Sequence, residues 1–306
     1  MISTQRLRRW PANPARLDTA SRSRGVRGGR GLLLSSMAAL LAVALVAPVV
    51  AAAPIATASP AAGPARVAAP AIHDGIFLSV CLPSHVAMDD PIVHPGGAGA
   101  SHQHEFFGNA TTDASSTYGS LVGQATTCRI AGDTAAYWVP SVLANGQRVA
   151  PLKVNAYYLR GGGRGVTFAF PAGLKIVAGN SKATSAQSIA VTGWKCSGAQ
   201  PVALSTVPVA CPAGTDNVLV IRFPDCWNGR DLDSADHASH MAYRVGGACP
   251  VGFPVRVPRL SLNFHYHLPT LSGLTLASGS IFSAHADFFN AWNQRTQVAL
   301  VRANLN

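Results

Sequence analysis

Three short segments of the chain concentrate the residue types that bind metal ions and transfer protons. They are residues 101–108, 236–240 and 285–289, and each holds at least one histidine beside a carboxylate. The residues concerned are His102, His104, Glu105, Asp236, His237, His240, His285 and Asp287. Five of the ten histidines of the chain lie in these segments, which favours one shared site over separate structural roles.

The spacing within each segment indicates which side chains could act together. Residues two apart on a strand point to the same face, so His102 and His104 could hold one ion or flank one substrate, while Glu105 turns away. His237 and His240 are three apart and would share a face if their loop makes a helical turn. Histidine is the commonest metal ligand, and neighbouring carboxylates orient it.

These patterns lead to a specific division of roles. We predict that a divalent metal ion, if present, is bound by His102, His104, His240 and His285. Acid and base chemistry would fall to Asp225, Asp236, His237 and Asp287. A metal-free site is also coherent, with Asp225, Asp236 or Glu105 as acid or base, because most glycosidases work with a pair of carboxylates across a sugar. The sequence does not choose between these two versions.

Aromatic residues supply candidate walls for a binding cleft. Tyr137 and Trp138 lie in one apolar run, and Trp227 follows Asp225 and Cys226. Their rings could stack on sugar rings, or they could belong to the core, with Trp227 packed beside a disulfide. Nothing near His73 or His85 suggests a site, and His265 and His267 could lie on the solvated face of a strand. We therefore interpret these four histidines as structural or solvent-facing.

The sequence predicts β-structure for most of the chain after residue 73. Short apolar or alternating runs are bounded by glycine and proline. The predicted strands are 75–80, 136–139, 152–159, 166–170, 174–177, 188–194, 218–223, 241–245 and 255–267. Asn145-Gly146 predicts a hairpin turn. This pattern indicates a mainly β fold, a single-domain sandwich or jelly-roll-like structure with long loops.

The C-terminal segment has a different period. Phe289, Trp292, Thr296 and Leu300 fall near helical spacing, which predicts a helix from about residue 286 to 303. Asp287 would then lie in the first turn, where a carboxylate is favoured by the helix dipole.

The N-terminal region explains the charge of the protein. Residues 1–72 carry nine arginines and one acid, whereas the remainder carries 15 basic and 12 acidic residues and a net charge of only +3. This excludes a nucleic-acid-binding role based on a basic stripe in the folded part. Residues 1–53 resemble an export signal with an apolar run and an Ala-rich cleavage site, so no membrane span is expected after cleavage; the alternative is an uncleaved membrane anchor, for which the apolar run before Pro48 is slightly short. The Ala/Pro-rich residues 54–72 predict a linker, and 73–306 one domain.

The six cysteines all follow the signal, and an even number in an exported chain indicates disulfides. No C-x-x-C pair occurs, which argues against a zinc-thiolate site. Six cysteines allow 15 pairings. Local pairing is the simplest hypothesis: Cys81–Cys128, Cys196–Cys211 and Cys226–Cys249.

Seven motifs, in order, resemble the secreted domain-of-unknown-function family numbered nineteen ninety-six, known from fungi and actinobacteria. They are residues 90–96, 101–108, 136–140, 223–229, 231–243, 249–250 and 285–292. The resemblance covers most of residues 73–303. It implies secretion and marks His102, His104, Asp225, Asp236, His237, His240, His285 and Asp287 as motif positions, but it implies no reaction.

These observations together predict a secreted protein that acts on extracellular or cell-wall polysaccharide through a His/Asp-rich cleft, as a hydrolase that could use a metal ion. Two alternatives remain open. One is a non-catalytic carbohydrate- or cell-wall-binding module, and the other is a metal-binding or redox protein. The substrate, the identity of any metal and the oligomeric state are not specified by the sequence.

Overall fold

The computed structural model describes residues 75–162, 165–198 and 203–306. All of them belong to one unit, Arg66–Asn306. The predicted export signal and linker lie outside the described residues. None of the helices in the described ranges is long and apolar enough to cross a membrane.

The described part of the chain is mainly β, as predicted, with four antiparallel sheets. In chain order the strands are β1 (Ile76–Cys81), β2 (Pro83–Ala87), β3 (His104–Gly108), β4 (Ala136–Pro140), β5 (Val142–Ala144), β6 (Gln147–Val149), β7 (Lys153–Leu159), β8 (Lys175–Gly179), β9 (Thr192–Cys196), β10 (Asn217–Arg222), β11 (Cys226–Trp227), β12 (Met241–Ala242), β13 (Val255–Arg256), β14 (Arg259–Tyr266), β15 (Leu274–Leu276) and β16 (His285–Phe289). The helices are α1 (Tyr118–Leu121) and α2 (Gln294–Leu305).

Two five-stranded sheets form the sandwich. The first has the strand order β1-β7-β14-β10-β9, and the second has the order β2-β3-β4-β16-β8. The remaining strands form two small three-stranded sheets, β12-β11-β13 and β15-β5-β6.

Alternation along each strand directs one row of side chains into the space between the two large sheets. Phe264 of the first sheet packs on Phe107 of the second, with ring centroids 5.3 Å apart. The predicted alternation of β14 is confirmed for Leu260, Leu262, Phe264 and Tyr266, which are fully buried in this core. The opposite row of each sheet therefore faces outward.

The turn prediction at Asn145-Gly146 is confirmed, since β5 and β6 pair with Ala144 opposite Gln147. Both turn residues have positive φ, 49° and 79°, which is the conformation that a two-residue hairpin of this kind requires.

Four strand predictions were wrong in detail. The predicted strand 188–194 is observed as Thr192–Cys196, and 241–245 is reduced to Met241–Ala242. Residues 255–267 form two strands, because Pro258 has no N–H to continue the ladder between β13 and β14. Residues 166–170 form no strand. They are instead held by single bonds, such as that from the Phe168 N–H to the Arg256 carbonyl.

The C-terminal helix exists but begins later than predicted. Helix α2 starts at Gln294, where Asn293 caps it by accepting a hydrogen bond from the Thr296 N–H. The preceding residues 285–289 form β16, which is fully buried between β4 and β8 in the second sheet. Asp287 is therefore a strand residue, and the prediction that it lies in a first helical turn was wrong.

The three predicted disulfides are confirmed: Cys81–Cys128, Cys196–Cys211 and Cys226–Cys249. The described residues contain no free cysteine.

Candidate functional site

The outer face of the second sheet carries the candidate site. On β3, His104 and Phe106 point outward, because Phe107 points into the core between the sheets. On β16, Phe288 points into the core, so His285, Asp287 and Phe289 point outward. Strand β4 lies between them, with Trp138 paired to both Phe106 and Asp287. The loop that follows β2 adds Asp90 and Ile92, both buried.

This arrangement brings three histidines together. One ring nitrogen from each of His102, His104 and His285 lies within 4.8 Å of the others. The Nε2 atoms of His102 and His285 are 3.2 Å apart. Two nitrogens bound at about 2.0–2.1 Å to a tetrahedral zinc ion would be about 3.3 Å apart, so this spacing suits two ligands of one ion.

The orientation of two of these rings is fixed by backbone carbonyls. The Nδ1 of His104 donates to the Asp89 carbonyl at 3.0 Å, and the Nδ1 of His285 donates to the Ser283 carbonyl at 2.9 Å. A carbonyl only accepts, so both Nδ1 atoms carry the proton and both Nε2 atoms present a lone pair. This is the arrangement by which proteins orient histidine ligands of metal ions.

Carboxylates complete the cluster on the buried side. Ligand atoms of Asp90, His104 and Asp287 also lie within 4.8 Å of one another. One oxygen of Asp90 accepts the N–H groups of Ile92 and Val93, at 3.0 and 2.9 Å. Neither oxygen of Asp287 has a hydrogen-bond partner among the described residues, and nor does the Nε2 of His104. Buried polar atoms without partners are costly, so this region is suited to receive a further group.

Burial dominates the electrostatics of the cluster. It lowers the pKa of His285 to about 4, and it lowers the pKa of His104 well below its usual value, with His102 and His285 adding to the effect. It raises the pKa of Asp287 well above its ordinary range, and the charge of Asp90 adds to this. The histidines are therefore neutral, which is the form that binds metal ions.

The cluster has one open side. His102 is half-buried, whereas His104 is 0% and His285 3% exposed. The exposed His94 lies close enough to lower the pKa of His102, after burial itself. Solvent therefore reaches the cluster past His102.

The segment 236–240 lies at the edge of the same sheet but does not join the cluster. The Nε2 of His240 donates to the Lys175 carbonyl at 2.8 Å, and its Nδ1 lies 2.9 Å from the Ser234 hydroxyl. Both ring nitrogens of His240 are therefore occupied. His237 has its Nδ1 2.8 Å from an oxygen of Asp233. His240 therefore does not join the predicted metal ligands His102, His104 and His285, and His237 lies outside their cluster, because both rings are used in hydrogen bonds of their own loop.

Asp236 is exposed and organises that loop. One oxygen accepts the Ser234 hydroxyl and the N–H groups of Ala238 and Ser239. The Ser239 N–H is the main reason that the pKa of Asp236 is held far below its usual value. This carboxylate is therefore ionised at neutral pH, and its hydrogen bonds stabilise the turn.

Asp225 lies elsewhere, beneath the small sheet formed by β11, β12 and β13. It is fully buried, with one oxygen 2.9 Å from Arg244 Nε and 3.3 Å from Arg259 Nε. The contacts are close in distance but are not aligned as hydrogen bonds, since neither oxygen of Asp225 has a hydrogen-bond partner in the part of the chain that the structure describes. The ion pairs indicate a structural role.

Two of the three aromatic candidates lie in the interior. Tyr137 and Trp138 are fully buried, so neither ring can stack on a sugar from solvent. Trp227 is half-buried, and its indole N–H donates to the Asp231 carbonyl at 2.6 Å.

The side chains of His102, His104, His285, Asp90 and Asp287 are called the metal-type cluster below. A groove adjoins this cluster. It has a volume of about 510 Å³ and is lined by Pro91, Tyr118, Lys175, Leu232 and Phe289, among others. Phe289 is two residues from Asp287 on the same face of β16, a separation of about 7 Å. Lys175 lies over its ring, 5.1 Å from the centroid.

The sequence analysis did not predict that Asp90 belongs to the site. Its only signal was its position at the head of Asp90-Pro91-Ile92-Val93-His94, where no histidine spacing links it to the other segments. Its role depends on how the loop folds over the outer face, which no local pattern specifies.

Comparison with known protein families shows which family the protein belongs to. Residues 90–292 match the family described as Domain of unknown function (DUF1996), and the protein belongs to that family. The match spans every residue of the cluster. No curated protein and no solved structure is significantly similar to the chain.

Proposed function

We propose that this protein is a secreted hydrolase that acts on extracellular polysaccharide with the help of a divalent metal ion. The observation that carries the proposal is the set of unpartnered ligand atoms, the Nε2 of His104 and both oxygens of Asp287, beside the two Nε2 atoms of His102 and His285. Three neutral imidazoles and a carboxylate are a ligand set typical of zinc and related ions.

The residues of the cluster divide into two groups. His102, His104 and His285 would hold the ion, and Asp287 lies where it can either bind it or neutralise it. A divalent ion held there would act as a Lewis acid and would lower the pKa of a water molecule in the site. Asp90 keeps one oxygen that accepts no backbone hydrogen bond, so this carboxyl group would be placed to accept a proton.

The groove beside Phe289 supports a polysaccharide substrate. Its wall contains the half-buried ring of Tyr118 and the cation of Lys175, which suit the ring faces and hydroxyl groups of sugars. Three disulfides in the folded domain and the signal-like N-terminal segment support secretion.

The test combines metal analysis with turnover. Purified wild-type protein should contain about one divalent ion per chain and release reducing ends from at least one member of a glycan panel. Both properties should be lost in His104→Ala. The matched control is His267→Ala, whose ring is 71% exposed and lies 3.1 Å from Asp216, and it should retain both. A metal-free wild-type protein that hydrolyses glycans would refute the metal step.

A second function is favoured by the depth of the cluster. His104 and Asp287 are fully buried and His285 is 3% exposed, which also suits a non-catalytic ion that fixes the loop bearing Asp90 to the sheet. This candidate predicts that chelation lowers the melting temperature and that no glycan is hydrolysed. Glycan binding without metal and without turnover would instead indicate a carbohydrate-binding module.

A further inference from the structure

A second groove lies on the other side of the sandwich, on the outer face of the first sheet. It has a volume of about 390 Å³. We call it the outer groove; its polar lining residues are Tyr157, Lys195, Arg222, Arg259, Ser261 and Asn263. The strand register places Ser261 directly between Tyr157 and Arg222. These side chains point outward because their neighbours Tyr158, Ile221 and Leu260 fill the core.

The outer groove is positively charged and contains no carboxylate among its lining residues. Within the described ranges, the ammonium of Lys195 makes no hydrogen bond or ion pair. Arg222 donates a hydrogen bond to a neutral acceptor, the Ile189 carbonyl, at 2.9 Å. Arg259 is 3.3 Å from Asp225, which Arg244 approaches more closely. Two cations therefore lie in the groove without a counter-charge, and the third shares one.

These cations are also held close enough to disfavour one another. Burial lowers the pKa of Lys195, and the charge of Arg222 lowers it further. Burial likewise lowers the pKa of Arg222, with a contribution from Arg259. An anion placed among them would relieve the repulsion and restore part of the lost solvation.

Neutral groups in the outer groove are arranged to recognise more than a charge. The Asn263 side-chain oxygen accepts the Ser261 hydroxyl at 3.1 Å, so its amide N–H groups are directed to other acceptors. Tyr157 is half-buried and presents an aromatic surface with a hydroxyl group. Amide donors, hydroxyl groups and a ring face are the groups that bind the hydroxyls and ring faces of sugars.

We propose that the outer groove binds an acidic saccharide, with Lys195 and Arg222 holding its oxyanion group and Tyr157, Ser261 and Asn263 contacting the sugar. The oxyanion is either a carboxylate, as in a polyuronate, or a phosphate, as in a phosphate-linked glycan polymer. A nucleic acid is a weaker fit because the groove has a single aromatic ring on which a base could stack. The proposal is independent of the metal-type cluster, which lies on the opposite sheet.

The test compares variants of the whole secreted protein by affinity electrophoresis in gels that contain polygalacturonate, a polyglycerol phosphate or neutral dextran. All variants share the same residues before position 73, so any contribution of arginines in that segment to binding anionic polymers cancels between variants. Lys195→Met should weaken binding to one or both anionic polymers roughly tenfold, as expected for loss of a hydrogen bond to a charged group. The preferred polymer identifies the oxyanion, and dextran should not retard any variant.

Three further variants make the outcome of the test unambiguous. Lys182→Met removes the same charge from an exposed turn and should bind as the wild type does. Lys195→Arg keeps the charge in the groove and should retain most of the affinity. His104→Ala, which removes a cluster ligand, should not change retardation, so failure of the metal proposal and failure of this one are distinguishable.

The proposal is overturned if Lys195→Met and Lys182→Met weaken binding equally, or if neither anionic polymer retards the wild type more than dextran does. It is also overturned if a single-stranded oligonucleotide of matched charge competes as strongly as the preferred polymer and loses affinity in parallel with it.

Discussion

His102 and His285 are 183 residues apart in the sequence, yet their Nε2 atoms lie 3.2 Å apart. The contact depends on the order of strands in the second sheet, where β4 separates β3 from β16. Gly179, opposite His285 on β8, is also needed. A Cβ atom there would lie 2.8 Å from the His285 Cα, so any larger residue would displace the histidine. The cluster is therefore a product of sheet register and not of a local motif.

The buried carboxylate of Asp287 should stabilise the protein only when it has a cation. In metal-free protein at neutral pH, Asp287→Asn should raise the free energy of unfolding by roughly 1–3 kcal/mol, because the wild type must either protonate this carboxyl, whose pKa burial raises, or bury its charge without hydrogen-bond partners, and the neutral amide does neither. After addition of zinc the order should reverse, since the wild type gains more from the ion. Urea unfolding of both proteins, with and without zinc, measures this.

The exposed Asp113 provides the control, and Asp113→Asn should show no zinc-dependent difference from the wild type. If zinc stabilises wild type and Asp287→Asn equally, Asp287 neither binds nor neutralises the ion.

Much of this architecture could be predicted from sequence because alternation and turn chemistry act locally. The row from Leu260 to Tyr266 and the turn at Asn145-Gly146 are of this kind. The disulfides were predictable because each pairs cysteines adjacent in sequence order. The segment 285–289 misled because its histidine and carboxylate alternate like a strand while Phe289 and Trp292 continue the helical spacing of α2.

The composition of the site was only half predictable. His102, His104, His285 and Asp287 share a neighbourhood, as their residue types suggested. His240 has the same residue type and a neighbouring carboxylate, but its ring nitrogens are used by Lys175 and Ser234. A histidine keeps an unpaired ring nitrogen only if folding brings no hydrogen-bond partner, such as a backbone carbonyl, close to it. The sequence pattern does not indicate where those carbonyls will lie.

A second buried carboxylate makes stability depend on pH. Asp133 is fully buried, and burial raises its pKa to about 7, although hydrogen bonds from Ser79 and Tyr137 oppose the shift. The folded-state pKa is above the unfolded value of about 3.9, so the folded protein binds this proton more tightly. The stability contribution of the proton is complete below about pH 4 and is lost as pH rises to about 7.

The expected size of this loss is up to about 4 kcal/mol, from three pKa units at about 1.4 kcal/mol each. In Asp133→Asn this component should be absent, so the difference in unfolding free energy between wild type and variant should change between pH 4 and pH 7 and be constant above. Denaturant unfolding across that range tests it. Since both proteins retain Asp287, a pH-independent difference would show that Asp133 does not titrate there.

The Glu105–Arg148 pair should be essential for stability. Glu105 is fully buried on the core side of β3 and accepts hydrogen bonds from Arg148 Nε and Nη2 at 2.6 and 2.7 Å, and from the Ser141 hydroxyl. Arg148→Met would leave this carboxylate without a cation and should cost about 3–5 kcal/mol. The double variant Glu105→Gln/Arg148→Met should cost much less, because no unpaired charge remains.

Arg230→Met is the matched control for this pair. Arg230 binds Asp231 at 2.9 Å, but its side chain is 83% exposed, so the loss should be close to zero. Chemical denaturation of the four proteins gives the comparison. A double variant as unstable as Arg148→Met would mean that packing, and not the buried charge, is responsible.

The disulfides should differ in their contribution according to the length of chain that each closes. The sequence separations are 47 for Cys81–Cys128, 23 for Cys226–Cys249 and 15 for Cys196–Cys211. Loop-closure entropy predicts losses of about 4, 3.4 and 3 kcal/mol when each pair is replaced by alanine. Cys81 is also fully buried in the main core, so its removal adds a packing loss. Urea unfolding of the three double variants should therefore give Cys81/Cys128 as the least stable by at least about 1 kcal/mol relative to Cys196/Cys211. The reverse order would mean that the first bridge is strained or that the unfolded chain already holds these cysteines together.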